Sequence, residues 1–467
     1  MMVAGTSPLL APRDLAAPFA WHHGRPISGH RYLADVAALA ARLPAGAAVI
    51  NLCLDRYRFA VALGAALQAG RTSLLPPNAR PETLQQLRAD HPRLCALADD
   101  AALQIDGVPV LQVPPAAEGD ATPAGSVPAI DAQLCAACLL TSGSTGVPQP
   151  HRRLWDEIRL SVQGATQRLT ETLGLPSLAG LTIVATVPPQ HSYGLESSVL
   201  LAMLGGAAID SGRPFYPADI AAALAAVPRP RALVTTPFHL KALLSAGLAL
   251  PPVDVLLSAT APLSPQLARQ AEQTLGGQLI EIYGCTEAGQ VASRRTVESE
   301  VWCTFGEMRI ARLDPGGGEP DQDECFVVQG GPVREPTRLA DVLKLEDARR
   351  FRLYGRANDL IHVAGRRSSL GHLNYHLNSL EGVQDGAFWL PDEVPDGVVR
   401  PVAFVVAPEL SAEQVIAGLR SRLEPVFVPR RVVHVDALPR EATGKLTAQA
   451  LRALALARLG PGAARGR

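Results

Sequence analysis

Between Leu139 and Trp155 the chain reads LLTSGSTGVPQPHRRLW. In its centre the hydroxyls of Thr141, Ser142, Ser144 and Thr145 alternate with Gly143 and Gly146. Small residues of this kind let the backbone curl until successive N–H groups point inward, and such a nest suits phosphate oxygens. The spacing excludes two other chemistries: G-x-x-x-x-G-K-[ST] is absent, and no G-x-S-x-G register fits a serine nucleophile. Taken alone, a Ser/Gly turn is also an ordinary solvated loop, so the anion must be argued from the residues that accompany it. Cys135 and Cys138 form a C-x-x-C just upstream, inside the apolar run LCAACLL. No second cysteine pair or histidine pair completes a metal set, and they read as buried core.

A loop of this kind needs a scaffold, and the composition bounds it. The 467 residues exceed one ordinary domain, and 43 basic against 44 acidic side chains leave a formal charge of −1. Bulk attraction to nucleic acid or to a membrane surface is excluded on that balance, so charge chemistry must be local. Seven scattered cysteines in a chain this long read as reduced thiols. The N-terminal MMVAGTSPLLAPRD has no basic start, and no apolar run reaches the length of about 18 residues that a span requires. The expectation is a cytoplasmic protein with no membrane span and no nucleic-acid partner.

Helical periods such as YLADVAALAARL and DRYRFAVALGAALQAG alternate with short runs such as AAVINLCL and TSLLP in the first third. The rhythm returns after residue 180 in TIVATVP, RALVTT, VDVLLSA and QLIEIY. Strands alternating with amphipathic helices predict parallel sheet covered by helices. Ser264 followed by Pro265 predicts a capped helix start. PPAAEGDATPAGSVPAI reads as a surface connection, and LDPGGGEPDQDE as a long hairpin loop between strands. Beyond residue 358 the pattern changes to DLIHVAG, QDGAFWL, PVAFVVA and RRVVHVD as strands, with Ser411 and Gln414 boxing the start of a helix. This predicts a separate small α+β domain, ending in a frayed GPGAARGR tail.

TSGSTGVP, EIYGCTEAG, LYGRANDLIHVAGRR and LPREATGKL stand in the order and approximate spacing of the adenylate-forming ligases, which include acyl- and aryl-CoA synthetases, peptide-synthetase adenylation domains and luciferases. The resemblance spans residues 139 to 446. It implies an α/β fold: a large N-terminal region, 1–357, of two α/β subdomains plus a small β-barrel-like subdomain, and a mobile C-terminal α+β lid, 358–467, with its hinge at Asn358. It implies ATP and Mg²⁺ as cofactors. Thr141, Ser142, Gly143, Ser144, Thr145 and Gly146 would cradle the β- and γ-phosphates, Tyr283 would lie against adenine, and Asp341 and Arg356 would hold the ribose. Thr286 would contact the α-phosphate, Glu287 with Thr145 would bind Mg²⁺, and Arg367 would face a nucleotide phosphate. Lys445 matches the lysine delivered from the lid, where a positioned ammonium offsets the repulsion between a carboxylate and a phosphate. In the same family the lid then swings so that another face, near Gly365, lines a tunnel for the thiol.

Departures from the family pattern are local. Pro148, Gln149 and Pro150 replace proline, lysine and glycine, leaving Arg152 or Arg153 to supply the missing charge. Ser258, Ala259 and Thr260 replace Ser-Gly-Gly, His362 stands where a lysine is frequent, and LAD replaces Thr-Gly-Asp. Glu287, Asp341, Arg356 and Lys445 all remain, which reads as specialisation. The set of deviations resembles the ligases of aryl-polyene and xanthomonadin-type pigment pathways, which load an aromatic acid such as a hydroxybenzoate onto an acyl carrier protein. His191, counted with Lys445, Thr286 and Glu287 in the catalytic set, and Tyr193, at the position that meets a substrate phenol, would line the acid pocket with Ser258, Ala259, Thr260 and Gly284. The partners implied are a small carboxylic acid and a carrier protein or CoA as thiol acceptor. A CoA ligase, a stand-alone adenylation domain and a noncatalytic acid-binding relative are the alternatives.

Overall fold

The computed structural model describes residues 5–46, 48–76, 79–117, 126–142, 148–313, 325–356, 360–363, 366–391, 401–440 and 446–460. Two sheets dominate the N-terminal region. In the first, parallel strands Cys135–Ser142, Ser73–Leu75, Ala48–Asn51, Leu94–Ala98 and Val110–Gln112 lie side by side, with Pro148–Leu154 antiparallel at one edge. In the second, of eleven strands, a parallel centre built on Thr182–Ala185, Arg231–Thr235, Val255–Ser258 and Gln278–Cys285 continues into antiparallel strands Gly289–Arg294, Trp302–Thr304, Arg350–Arg356 and Asp341–Leu345.

The alternation of side chains along these strands explains the layers. Val184, Leu233, Leu256 and Leu279 point to one face of the large sheet, onto helices Pro217–Ala226, Pro237–Ser245 and Pro265–Leu275. Their neighbours Ile183, Ala185, Val234, Leu257 and Ile280 point the other way, into a core shared with Val49, Cys95, Leu97, Ala137 and Leu139 of the smaller sheet. The helix Arg56–Gln68 lies in that shared core and is buried along almost its whole length, from Tyr57 and Phe59 to Leu67. Cys138 and Leu140 face the outer side of the smaller sheet with Leu84 and Leu87, and Cys135 and Cys138 are free and buried as expected. Ser264 caps its helix by accepting from the Leu267 N–H, with Pro265 at the first position.

Strands Arg309–Leu313 and Cys325–Gly330 pair antiparallel with Leu313 opposite Cys325, so the Gly- and Asp-rich stretch joins a hairpin; residues 314–324 themselves lie outside the described residues. With Val333–Leu339 these strands form the small β part of the region.

The C-terminal region is a second unit with its own interior. Strands Asp385–Trp389, Val402–Val406 and Arg431–His434 form a sheet. Phe388, Ala403 and Val405 point to one face, against Leu373, Leu377, Val415 and Leu419 of two helices, while Ala387, Trp389 and Phe404 point to the other, against Val435, Leu438 and Ala455. The Ser411–Gln414 capping box is present. The expected hinge at Asn358 and Gly365 lie outside the described residues, as does the tail from residue 461. No described helix is long and apolar enough to cross a membrane.

Candidate active site

One cleft of about 1960 Å³ runs between the C-terminal ends of the large sheet's strands and the C-terminal unit. Its first wall begins with Gln278–Cys285, which turns through Thr286, Glu287 and Ala288 into Gly289–Arg294. The turn is tight for a stated reason: a Cβ on Gly284 would lie 2.3 Å from the Gly289 carbonyl oxygen, and Gly289 itself has φ +77°. Tyr283 is buried, its ring edge-on to Phe351 at 5.5 Å, and its hydroxyl donates to Asp341 Oδ2 at 2.7 Å. Asp341 is also the register partner of Arg356 in the antiparallel ladder, which brings three widely separated positions to one wall. The side chain of Arg356 and that of Arg367 lie outside what the structure describes.

Beneath this wall Glu281 is buried against Arg294 at 2.7 Å and accepts from Thr296 Oγ1 at 2.8 Å, while the Arg294 guanidinium lies over the Trp302 ring. Burial pushes the Glu281 carboxyl up, against the pull of Arg294. Burial, reinforced by Glu287, pushes the Cys285 thiol up to about 12, so this cysteine stays protonated and is no nucleophile at neutral pH.

The second wall carries the acid-pocket candidates. His191, Tyr193, Ala259, Thr260 and Gly284 line the cleft together, whereas Ser258 is fully buried behind them. Tyr193 donates to the Thr235 carbonyl at 3.1 Å, so a substrate phenol would meet its oxygen as an acceptor only. Thr260 has φ +80°, a left-handed conformation that a β-branched residue rarely adopts. A glycine would sit there without strain, and Thr260 holds this backbone shape at a cost.

Sequence reasoning missed the buried ionic support of both walls. Glu196 accepts from Ser161 Oγ and Ser192 Oγ at 3.0 Å and from the Gln290 N–H at 3.1 Å, and Arg153 stands 4.0 Å away. Arg153 is thus buried beside Glu196, while Arg152 opens onto the far side of the smaller sheet, among Leu74, Cys138 and Leu140. It is His151 on the same strand whose Nε2 lies 3.9 Å from Glu287 Oε1. Period-two alternation through His151, Arg152 and Arg153 was the available signal: it sends the middle residue to the opposite face. Arg56 is a further buried charge, donating to the Ala185 and Val187 carbonyls at 2.7 and 3.0 Å and lowered to about 10 by burial.

Leu139 and Leu140, which lead into the Ser/Gly stretch, line the same cleft, and Gly143–Gly146 lie outside the described residues. Lys445 does too, but its flanks do not: Arg440 and Leu446 bridge to one another, and both line the cleft.

A two-sheet α/β core with a cleft closed by a small second unit is the fold of the adenylate-forming acid ligases. Residues 12–324 match the AMP-binding enzyme family and residues 377–445 its C-terminal domain, and the chain belongs to that family. It is 29% identical over 309 residues to a 4-coumarate–CoA ligase of Rhodobacter capsulatus, covering 65% of this chain and 73% of the relative. It is 22% identical to a 3,4-dihydroxybenzoate–[aryl-carrier protein] ligase of Bacillus anthracis, over 67% of this chain and 72% of that one. The fold matches an o-succinylbenzoate coenzyme A synthetase of Bacillus subtilis in complex with ATP and magnesium ion, with a TM-score of 0.74 at 17% identity over 92% and 95% of the two chains.

Proposed function

We propose that this ligase adenylates an aromatic acid of hydroxybenzoate type at the expense of Mg·ATP, releasing pyrophosphate, and passes the acyl group to the phosphopantetheine thiol of an acyl carrier protein. The observation that carries it is the convergence on one cleft of the Tyr283–Asp341 pair, the Thr286–Glu287 turn, the His191–Tyr193 wall and the two flanks of Lys445. Tyr283 and Asp341 hold adenine and ribose, with Arg356 beside Asp341 in the ladder. Glu287 is half exposed and presents a hard oxygen, which fits a hard divalent cation with Thr145 as companion. Such a cation, when bound, neutralises phosphate charge. Lys445 supplies the ammonium that lets the acid's carboxylate approach the α-phosphate, and Thr286 orients that phosphate. Ser/Gly stretch 141–146 cradles the leaving pyrophosphate, with Arg367 as a further phosphate contact. Asn358 is the pivot on which the 358–467 unit turns for the thiol step. Tyr193 and Thr260 favour a flat ring with a polar edge, because a phenol left without a partner in such a wall costs about 1–3 kcal/mol.

The names of the relatives support an aryl acid, and they divide on the acceptor: one is a CoA ligase, the other a carrier-protein ligase. Free CoA is therefore the second reading. Pyrophosphate exchange into ATP across benzoic, hydroxybenzoic, cinnamic and fatty acids tests the first step. Preference for a fatty acid overturns the aryl reading. Product formation with free CoA and none with a loaded carrier replaces the acceptor.

A further inference from the structure

The N-terminal and C-terminal units touch at places far apart in sequence. Near the crossover, Ser369 Oγ donates to the Tyr354 carbonyl at 2.7 Å. Elsewhere along the cleft a charged side chain of the N-terminal unit reaches over: Lys241, on the helix Pro237–Ser245, donates from Nζ to the Val383 carbonyl at 2.5 Å. Lys241 is partly buried, and its charged neighbours are Asp385 and Arg440.

What Val383 leads to gives the contact its meaning. Two residues on, Asp385 opens the first strand of the C-terminal sheet and clamps Arg440 through two bonds of 2.7 Å, Nε to Oδ2 and Nη2 to Oδ1. This is the planar, bidentate geometry that fixes direction as well as distance. Arg440 in turn bridges Leu446, the residue after Lys445. A connected path therefore runs from the N-terminal helix through Val383, Asp385 and Arg440 to Leu446.

We propose that Lys241 is a positioning residue: by gripping the Val383 carbonyl it registers the Asp385–Arg440 clamp, and with it Leu446, the described neighbour of Lys445, against the N-terminal cleft. The inference rests on the function proposed above only in what Lys445 does once in place. Burial lowers the Lys241 ammonium to about 8 against the pull of Asp385, so a charge held here is costly and asks for a role beyond packing. The sequence carries no hint of it, because a helical lysine is ordinarily a solvated one.

Lys241→Met keeps the aliphatic stem and removes the charge; Lys241→Arg keeps the charge. The adenylation half-reaction, read by pyrophosphate exchange, should fall on the order of tenfold in Lys241→Met, the worth of one charge-assisted hydrogen bond. Transfer from supplied hydroxybenzoyl-adenylate to pantetheine should stay within about twofold. Lys241→Arg should recover most of the exchange, and the melting temperature of Lys241→Met should not drop. Hydrogen exchange of the backbone across 380–389 should quicken in Lys241→Met, and this arm needs no substrate. Unchanged hydrogen exchange, or equal loss of both half-reactions together with a lower melting temperature, overturns the proposal. Absence of pyrophosphate exchange in the unmodified protein with every acid would overturn the function proposed above, while the hydrogen-exchange arm would still decide on Lys241.

Discussion

The two sides of the cleft are held by different physics. On the N-terminal side, Tyr283, Asp341 and the turn at Thr286–Glu287 are placed by strand register, and the charges behind them, Glu281 with Arg294 and Glu196 with its donors, are sealed in the interior. On the C-terminal side, Arg440, held by Asp385 and bridged to Leu446, belongs to a unit that Lys241 reaches across a seam, at the Val383 carbonyl. A backbone ladder cannot shift without unpairing, whereas a seam of side chains can part and re-form at small cost. This difference fits the function proposed above, in which the fixed side would hold the nucleotide and the separable side would deliver a charge for one step and withdraw it for another.

This contrast can be broken most violently at Glu281. Glu281→Gln leaves Arg294 buried without its carboxylate and should cost about 3–5 kcal/mol of stability, read from denaturant midpoints. Lys445→Ala, on the other side, should leave the midpoint unchanged and lower pyrophosphate exchange by about 10² to 10³. Asp341→Ala strips the Tyr283 hydroxyl of its acceptor and should weaken ATP binding by about 1–3 kcal/mol in a calorimetric titration. Thr260→Gly should stabilise by about 1 kcal/mol, because the left-handed backbone no longer strains a side chain, and should blur selection among ring substituents. The smallest effect is in pH. Lys241 has a folded-state value of about 8 against 10.5 unfolded, so the unfolded chain binds more protons between those limits and stability rises with pH there. A decline of adenylation relative to thiol transfer above pH 8 would then report the latch losing its charge and not unfolding, and Lys241→Arg should abolish it.

Parts of both sides were legible because they are written locally. The strand before Thr286, the Ser264–Pro265 helix start and the Ser411–Gln414 box each follow from a few adjacent residues, and so did the burial of Cys135 and Cys138. What escaped depended on partners distant in sequence. Glu196 reads as a helix-surface acid until Arg153, Ser161 and Gln290 are brought around it, and Arg56 as an exposed first-turn residue until the Ala185 and Val187 carbonyls close over it. The strain at Thr260 was half visible: the missing glycine could be seen, but the retained φ of +80° could not.

The C-terminal sheet is sealed on both of its faces, by Leu373 and Val415 on one and by Val435 and Ala455 on the other. Because, among the described residues, none of that apolar interior is borrowed from its neighbour, the unit is a candidate for transplantation: grafted onto a related N-terminal half, it should arrive already folded. All that such a hybrid would then have to be taught is where to rest.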